Sequence, residues 1–266
     1  WVIDTIINER GIMVDTELVN NAVKLMEETK EKYQREIVKL TNGQVTTGQQ
    51  VARMLDFIGQ FGNKPEDLTK ETVAELLKQD LPDPVRRLLE LRTLLGKSSV
   101  SKYQRMLDTV SDDGRIRGLF QYNGAYRTGR WGGRGVQPHS MPRGQFNIPD
   151  EDLELIRSYD MQAIEQKYGS LPEVLSSCAR QMFMAKPGNV FHVVDYAGIE
   201  NRVVAWLADD QVLIDRFVNN VDQYKLMASK IYRKPPDSIT KDERFIGKQV
   251  ILGCGYSMGG NRFAER

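Results

Sequence analysis

A long helical periodicity over about residues 15–110 is the feature that most constrains the fold. Apolar residues recur there at intervals of three and four, which is the spacing of one face of an α-helix. They are Val19, Val23, Met26, Tyr33, Ile37 and Leu40, followed by Val51, Met54, Leu55 and Ile58. The opposite face carries the pairs Glu28/Lys32 and Glu31/Arg35 at i, i+4. The pattern predicts several amphipathic helices, with further ones near 69–80, 84–96 and 99–110.

The pattern changes after residue 110. Residues 117–122 and 125–130 flank Asn123-Gly124, a two-residue turn signal that predicts an antiparallel hairpin. A glycine-rich and polar loop then extends to Pro149. A helical stretch follows near 150–167, and residues 189–195 (NVFHVVD) have the β-branched composition of a buried strand. With further helices near 199–207, 222–232 and 241–256, the predicted class is α+β and mostly helical.

Composition excludes several classes of protein. No apolar run approaches the roughly 18 to 20 residues of a membrane span, and no signal segment opens the chain. We therefore expect no membrane partner and a cytoplasmic location. The two cysteines, Cys178 and Cys254, have neither disulfide-framework nor zinc-ligand spacing. Because the 266 residues begin at Trp1 and stop at Arg266 inside a charged stretch, we expect a fragment of a longer protein.

Charge is unevenly distributed along the chain. The 37 basic and 36 acidic residues nearly cancel, which by itself argues against a nucleic-acid partner. Residues 114–148, however, contain six arginines and no Asp or Glu. Glycines in this segment allow close backbone approach, and arginines make forked contacts to phosphates. The alternative interpretation is a basic loop that acids elsewhere in the fold neutralise.

Asp195 ends the predicted strand 189–195 and is the first candidate for chemistry. A carboxylate on a rigid element can project into a cleft, where Mg²⁺ is bound by one or two carboxylates together with substrate phosphates. The alternative is a helix N-cap or turn residue, which is a common role for a single aspartate.

Arg244, Lys248, Leu252 and Tyr256 are spaced four residues apart. A four-residue step turns about 400° around a helix, so these side chains share one slowly drifting face. Such a stripe could bind a triphosphate with its cations, while its later residues pack against sugar and base. The alternative is a solvent-exposed helix face.

These segments, in this order, resemble the polymerase region of family A DNA polymerases, the bacterial DNA polymerase I type, and most closely its phage replicative versions. Asp195-Tyr-Ala-Gly-Ile-Glu-Asn-Arg202 resembles the family's motif A, DYSxIExR. Arg244-x3-Lys248-x4-Gly253-x2-Tyr256 resembles motif B of the fingers helix. Residues 128–131 (TGRW), with Gln137 and 141–143 (MPR), resemble the TGR…QNxPR segment that lines the primer-template duplex.

The resemblance implies a partial right-hand polymerase: a helical thumb and connecting region at 1–110, part of the palm at 111–212, and the start of the fingers at 213–266. Two Mg²⁺ ions are expected in the complete enzyme, with Asp195 and the carbonyl of Tyr196 as ligands. Arg244 and Lys248 would bind the β- and γ-phosphates. Glu200 would lie under the sugar, where it excludes a 2′-hydroxyl and bonds Tyr256.

The implied reaction is template-directed transfer of a deoxynucleoside monophosphate to a primer 3′-hydroxyl, with primer-template DNA and deoxynucleoside triphosphates as partners. If the chain is phage-encoded, its location is the host cytoplasm. Arg130 would contact the primer strand and other arginines the duplex backbone. The DNA-binding candidates are Arg115, Arg117, Thr128, Arg130, Arg134, Gln137, His139 and Arg143.

Several residues depart from the family pattern. Leu252 stands where Phe or Tyr is usual, Gly198 replaces Gln, Ser257 replaces Gly, and 139–140 (His-Ser) replaces Gln-Asn. The His-Asp-Glu motif that carries the family's second catalytic carboxylate does not occur in these 266 residues. We therefore expect this chain alone to bind DNA weakly and to extend primers poorly.

Two other functions remain open. A single-subunit RNA polymerase shares the plan of motifs A and B, although Glu200 argues against it, because that family has a small residue at this position. The third interpretation is a non-catalytic DNA-binding module, in which the arginine segment binds the duplex and Asp195 is structural.

Overall fold

A computed structural model describes residues 1–62, 64–96, 99–142, 144–255 and 257–264. The chain divides into two compact units, Trp1–Phe191 and His192–Arg266. Helices dominate both units and the strands are short, which confirms the predicted mostly helical α+β class. The thumb, palm and fingers boundaries at residues 110 and 212 stay predictions.

The first unit contains the long periodic region and two small sheets. Its helices are α1 (Val2–Arg10), α2 (Thr16–Leu40), α3 (Val51–Gly59), α4 (Lys70–Leu77), α5 (Asp83–Leu95), α6 (Ser99–Thr109), α7 (Leu153–Arg157), α8 (Met161–Tyr168) and α9 (Leu171–Ser177). Its strands are β1 (Ile12–Val14), β2 (Arg115–Ile116), β3 (Phe120–Ala125), β4 (Arg130–Gly133) and β5 (Phe183–Met184).

Helix α2 organises this unit because it contributes to two hydrophobic cores. Its N-terminal half buries Leu18 and Leu25 in a core shared with α6, α7 and α9. Its C-terminal half buries Ile37 in a second core with α3 and α5. Asp15 caps the helix by accepting a hydrogen bond from the Leu18 N–H at 3.0 Å, and its carboxylate also pairs with Arg157 of α7.

The first sheet is antiparallel with strand order β2-β1-β5, so Met13 lies between Arg115 and Met184. Its three strands come from distant parts of the sequence, and each is two or three residues long. Strands this short carry too little periodicity to be recognised, which explains why β1 and β5 were not predicted.

The second sheet is the predicted hairpin, formed by β3 and β4, but its turn lies elsewhere. Ala125 pairs with Arg130, so the loop is 126–129 and not Asn123-Gly124. The Asn-Gly pair instead forms an irregularity within β3, where Asn123 has a φ of +53°. A Cβ on Gly124 would come within 2.7 Å of the Gly132 Cα. Gly124 therefore allows the two strands to approach closely. The predicted position of the turn was wrong.

The second unit consists of α10 (Ile199–Leu207), α11 (Gln211–Val218), α12 (Gln223–Tyr232), α13 (Lys241–Gly255) and α14 (Gly260–Ala264). The buried strand predicted over 189–195 is not formed. These residues are irregular and exposed, with Val193 at 93% and Val194 at 90% of full exposure. A strand needs a hydrogen-bonding partner strand, and no strand of the described ranges pairs with this segment.

Candidate functional site

Asp195 lies in the irregular segment that precedes α10. Its residue is exposed, and its carboxylate accepts no hydrogen bond from the part of the chain that the structure describes. Gly198, with a φ of +60°, occupies the N-cap position of α10. The alternative role of Asp195 as a helix cap is therefore wrong, and its carboxylate is available to a ligand.

The turn after Asp195 is fixed by Arg202 from the second turn of α10. The Arg202 Nε donates a hydrogen bond to the Ala197 carbonyl oxygen at 2.9 Å. Its guanidinium also lies 4.7 Å from the centre of the Phe217 ring of α11. Arg202 thus connects the segment bearing Asp195 to two helices, a role that its place in motif A did not reveal.

Oxygen donors suited to a divalent cation are present in this segment. Asp195 supplies a carboxylate and Tyr196 a backbone carbonyl, and Mg²⁺ prefers such hard oxygen ligands. Tyr196 is 80% exposed, so this part of the chain is open. Among the described residues, no group of three or more His, Cys, Asp or Glu side chains is arranged to hold a metal ion.

The predicted triphosphate stripe lies on α13. Arg244, Lys248 and Leu252 all fall within this continuous helix, so they share one face as predicted, whereas Tyr256 lies outside the described residues. Lys248 is exposed and Leu252 is half-buried. Glu200 is half-buried in the first turn of α10. The roles assigned to these residues stay predictions.

Helix α13 packs closely against α12 at Gly247, which lies between Arg244 and Lys248 and directly precedes Lys248. A Cβ at Gly247 would lie 2.2 Å from the Tyr224 carbonyl oxygen and 2.9 Å from the Ala228 nitrogen. Glycine is therefore required for this approach. The contact brings the N-terminal part of α13 against the start of α12.

Arg244 has a protein partner that the sequence did not reveal. Its Nε donates to Asp222 Oδ2 at 2.7 Å, and its guanidinium carbon lies 5.1 Å from the centre of the Tyr224 ring. Asp222 also caps α12. Partial burial raises the pKa of Asp222, but the hydrogen bonds from Arg244 and the α12 backbone outweigh it, so the net pKa is lowered.

The start of α13 is a capping box formed by Thr240 and Glu243. The Glu243 N–H donates to Thr240 Oγ1 at 3.2 Å, and the Thr240 N–H donates to Glu243 Oε2 at 3.0 Å. Lys234 pairs with Glu243, and its hydrogen bond is the main cause that lowers the pKa of the Glu243 carboxyl. This fixes the first turn of the helix that carries the stripe.

Arg115 and Arg117, both predicted to bind DNA, are engaged close to the backbone of the first unit. Arg115 donates to the carbonyl oxygens of Arg10 and Gly11 at 3.0 and 3.2 Å. Arg117 forms a two-pronged ion pair with Asp113 at 2.9 and 2.6 Å, and this bond lowers the pKa of Asp113 to about 2. For Arg117, an acid outside the segment does neutralise the charge, as the alternative interpretation proposed.

The remaining candidates lie on or beside the exposed hairpin. Arg130 begins β4 and is exposed, and Arg134 donates to Gln121 Oε1 at 3.1 Å. Thr128 lies in the exposed hairpin loop, where its hydroxyl donates to the Ala125 carbonyl. Gln137 is exposed with a φ of +53°. The His139 ring packs on Gly133, where a Cβ would come within 1.8 Å of its Cε1. Arg143 lies outside the described residues.

None of the described helices is both long enough and apolar enough to cross a membrane. Cys178 is buried and Cys254 is exposed, and both are free thiols.

Comparison with known proteins gives consistent similarities. A profile described as DNA polymerase family A matches residues 16–266. The DNA polymerase of Bacillus phage SP02 is 35% identical over 261 residues, which are 97% of this chain and 40% of that protein. DNA polymerase I of Aquifex aeolicus is 26% identical over 96% of this chain and 38% of its own length. The chain thus spans about two fifths of the length of these relatives.

A solved structure shares the fold. The POL domain of Pol1 from M. smegmatis, in complex with DNA primer-template and dNTP, matches with a TM-score of 0.65 and 18% identity over 96% of this chain and 41% of that one. The profile match covers the segments that resemble motifs A and B, together with the arginine-rich segment. The chain belongs to DNA polymerase family A.

Proposed function

We propose that this chain forms part of a DNA-directed DNA polymerase that adds deoxynucleoside monophosphates to a primer 3′-hydroxyl. The observation that carries the proposal is the family match over residues 16–266. The match includes the cationic stripe on α13 and Asp195, whose carboxylate has no hydrogen-bond partner among the described residues. The M. smegmatis POL domain was solved with primer-template DNA and a dNTP, and these ligands are consistent with the proposal.

In this proposal, each site residue contacts a different part of the bound nucleotide or its metal ions. Asp195 and the Tyr196 carbonyl would hold Mg²⁺, and a pair of such ions would supply charge neutralisation at the reacting phosphates. Arg244 and Lys248 bind the β- and γ-phosphates through charge-assisted hydrogen bonds. Leu252 supplies apolar contact to the nucleotide, and Glu200 together with Tyr256 excludes a 2′-hydroxyl. These interactions orient the triphosphate toward the primer end.

The arginine-rich segment binds the primer-template duplex in this proposal. Arg130, which lies exposed at the start of β4, contacts the primer strand, and Thr128, Arg134, Gln137 and His139 contribute to the same surface. By the resemblance to the TGR…QNxPR segment, Arg143 also binds DNA in this proposal. Arg115 and Arg117 support the backbone around this surface through their bonds to carbonyl oxygens and Asp113. We also infer a phage origin and work in the host cytoplasm, from the similarity to the SP02 enzyme.

Template-directed primer extension by the protein in its full natural length tests the proposal. We expect incorporation of the complementary deoxynucleotide, strong preference over the ribonucleotide, and relaxation of that preference in Glu200→Ala. Preferential incorporation of ribonucleotides would favour the RNA polymerase alternative. Duplex binding without any extension would favour the non-catalytic DNA-binding module.

A further inference from the structure

Asp222 and Tyr224, at the start of α12, flank the guanidinium of Arg244, and we call these two residues the Arg244 cradle. The cradle exists because Gly247 lets α13 approach α12 closely. Arg244 and Asp222 keep 39% and 33% of their side-chain surface exposed, so the pair is accessible to a ligand from solvent.

The two oxygens of Asp222 have separate partners. Oδ1 accepts the backbone N–H groups of Tyr224 and Lys225 at 3.0 and 3.1 Å, and Oδ2 accepts the Arg244 Nε at 2.7 Å. The helix backbone therefore fixes the carboxylate whether or not Arg244 is present. Asp222 is a rigid anchor, and Arg244 is the group that it holds.

The cradle uses only one edge of the guanidinium. Nε bonds Asp222 and the planar group lies against the Tyr224 ring, while the terminal nitrogens donate to no atom in the described ranges. Those two nitrogens carry four of the five N–H groups of an arginine and form the fork that matches phosphate oxygens. Lys248, one turn further along α13, adds a second exposed cation. The described residues therefore leave the phosphate-binding fork of Arg244 unused.

We propose that Asp222 and Tyr224 are positioning residues for nucleotide binding, which hold Arg244 in one orientation so that its terminal nitrogens can bind the triphosphate. This inference rests on the proposed function. A free arginine side chain loses rotamer freedom when it binds a ligand, whereas an arginine already held in place loses less, so the cradle raises affinity without touching the nucleotide.

Asp222→Asn separates the ion pair from the helix cap, because Asn caps helices as well as Asp does. Asp210→Asn is the matched control, since Asp210 caps α11 through the Leu213 N–H at 3.0 Å in the same unit. In the full-length protein, we expect Asp222→Asn to weaken binding of inorganic triphosphate, and to raise the KM for dNTP, by about threefold to tenfold. We expect kcat to change less than KM, and Asp210→Asn to change neither.

Two further variants test whether the effect passes through Arg244. In an Arg244→Ala background, Asp222→Asn is expected to cause no additional loss of triphosphate binding. Tyr224→Phe keeps the ring and should bind as the wild type does, whereas Tyr224→Leu should bind more weakly. If Asp222→Asn does not fold, the comparison of Tyr224→Phe with Tyr224→Leu still tests the inference.

The inference is overturned if Asp222→Asn binds triphosphate as tightly as the wild type, if its effect persists without Arg244, or if the wild type binds no triphosphate. Equal triphosphate affinity of Tyr224→Leu and Tyr224→Phe would show that the Tyr224 ring does not position Arg244. Reduced triphosphate binding in Asp222→Asn, in a full-length protein that extends no primer, would support the cradle and contradict the proposed polymerase function.

Discussion

Gly247 of α13 lies so close to Tyr224 of α12 that a Cβ at position 247 would approach the Tyr224 carbonyl oxygen to 2.2 Å. The neighbouring atom is backbone, so a side chain there cannot be accommodated by a rotamer change. This contact sets the spacing of the two helices and, with it, the distance between Arg244 and Asp222.

Gly247→Ala should therefore destabilise the protein by about 1–3 kcal/mol, as overpacking does, and should weaken nucleotide binding. Thermal unfolding and dNTP titration measure the two effects. Gly255→Ala in the same helix is the control, since its Cβ would meet nothing within 4 Å. It should be neutral or slightly stabilising in thermal unfolding, because alanine favours helix. Equal melting temperatures for the two variants would contradict the close packing.

Asp152 predicts a pH dependence of stability in the first unit. Its carboxylate accepts hydrogen bonds from Lys167 at 2.7 Å and from Tyr168, and these bonds lower its pKa in the folded state. A lowered folded-state pKa means that the stabilisation is complete above the unfolded value of about 3.9 and is lost as pH falls below it. Between pH 6 and pH 3, the melting temperature of Asp152→Asn should fall less than that of the wild type. Equal decreases in the melting temperatures of the two proteins would show that Asp152 contributes nothing to the pH dependence of stability.

The two cysteines should differ in reactivity. Burial raises the pKa of Cys178 to about 12, whereas Cys254 is exposed on the last turn of α13. A thiol reagent reacts with the thiolate and needs access to it. At pH 8 the native chain should therefore be modified only at Cys254, and the unfolded chain at both cysteines. Cys254→Ser should abolish the native reaction. Rapid modification of Cys178 in folded Cys254→Ser would contradict the buried core around α9.

By the resemblance to motif B, Leu252 stands where an aromatic residue is expected, so in the proposed function its apolar contact with the nucleotide would be kept and the ring face lost. We expect Leu252→Phe to change the ratio of dideoxy to deoxy incorporation and the turnover rate. Single-nucleotide kinetics on both substrates measure the ratio, with Ile251→Phe, the adjacent residue of α13, as control. Unchanged ratios in Leu252→Phe would show that position 252 does not contact the sugar.

How much the sequence could predict depends on whether the stabilising contacts are local. Helices α2 to α6 were predicted because their apolar spacing is a property of each segment. The prediction of a strand at 189–195 was wrong, because strand formation also depends on partner strands, which the sequence of the segment itself does not reveal. Asn123-Gly124 predicted a turn, but in the pairing of β3 with β4 these two residues lie at an irregularity within β3.

The same distinction holds for the site. The alignment of Arg244, Lys248 and Leu252 follows from helix geometry alone, so four-residue spacing was enough to predict it. Asp222 was missed because its pairing with Arg244 crosses 22 residues and needs the contact at Gly247. An aspartate before the apolar run of α12 indicates a helix cap, but no local signal indicates its second partner.

The central claim, that Asp195 serves catalysis of nucleotide addition and not duplex binding, is tested most directly by Asp195→Asn in the full-length protein. Asp237→Asn, an exposed aspartate of the same unit, is the matched control. We predict that Asp195→Asn loses single-nucleotide primer extension by at least about a thousandfold, as expected for loss of a charged metal ligand, and that it binds primer-template with wild-type affinity. Extension within tenfold of the wild type, or an equal loss in Asp237→Asn, would contradict the account.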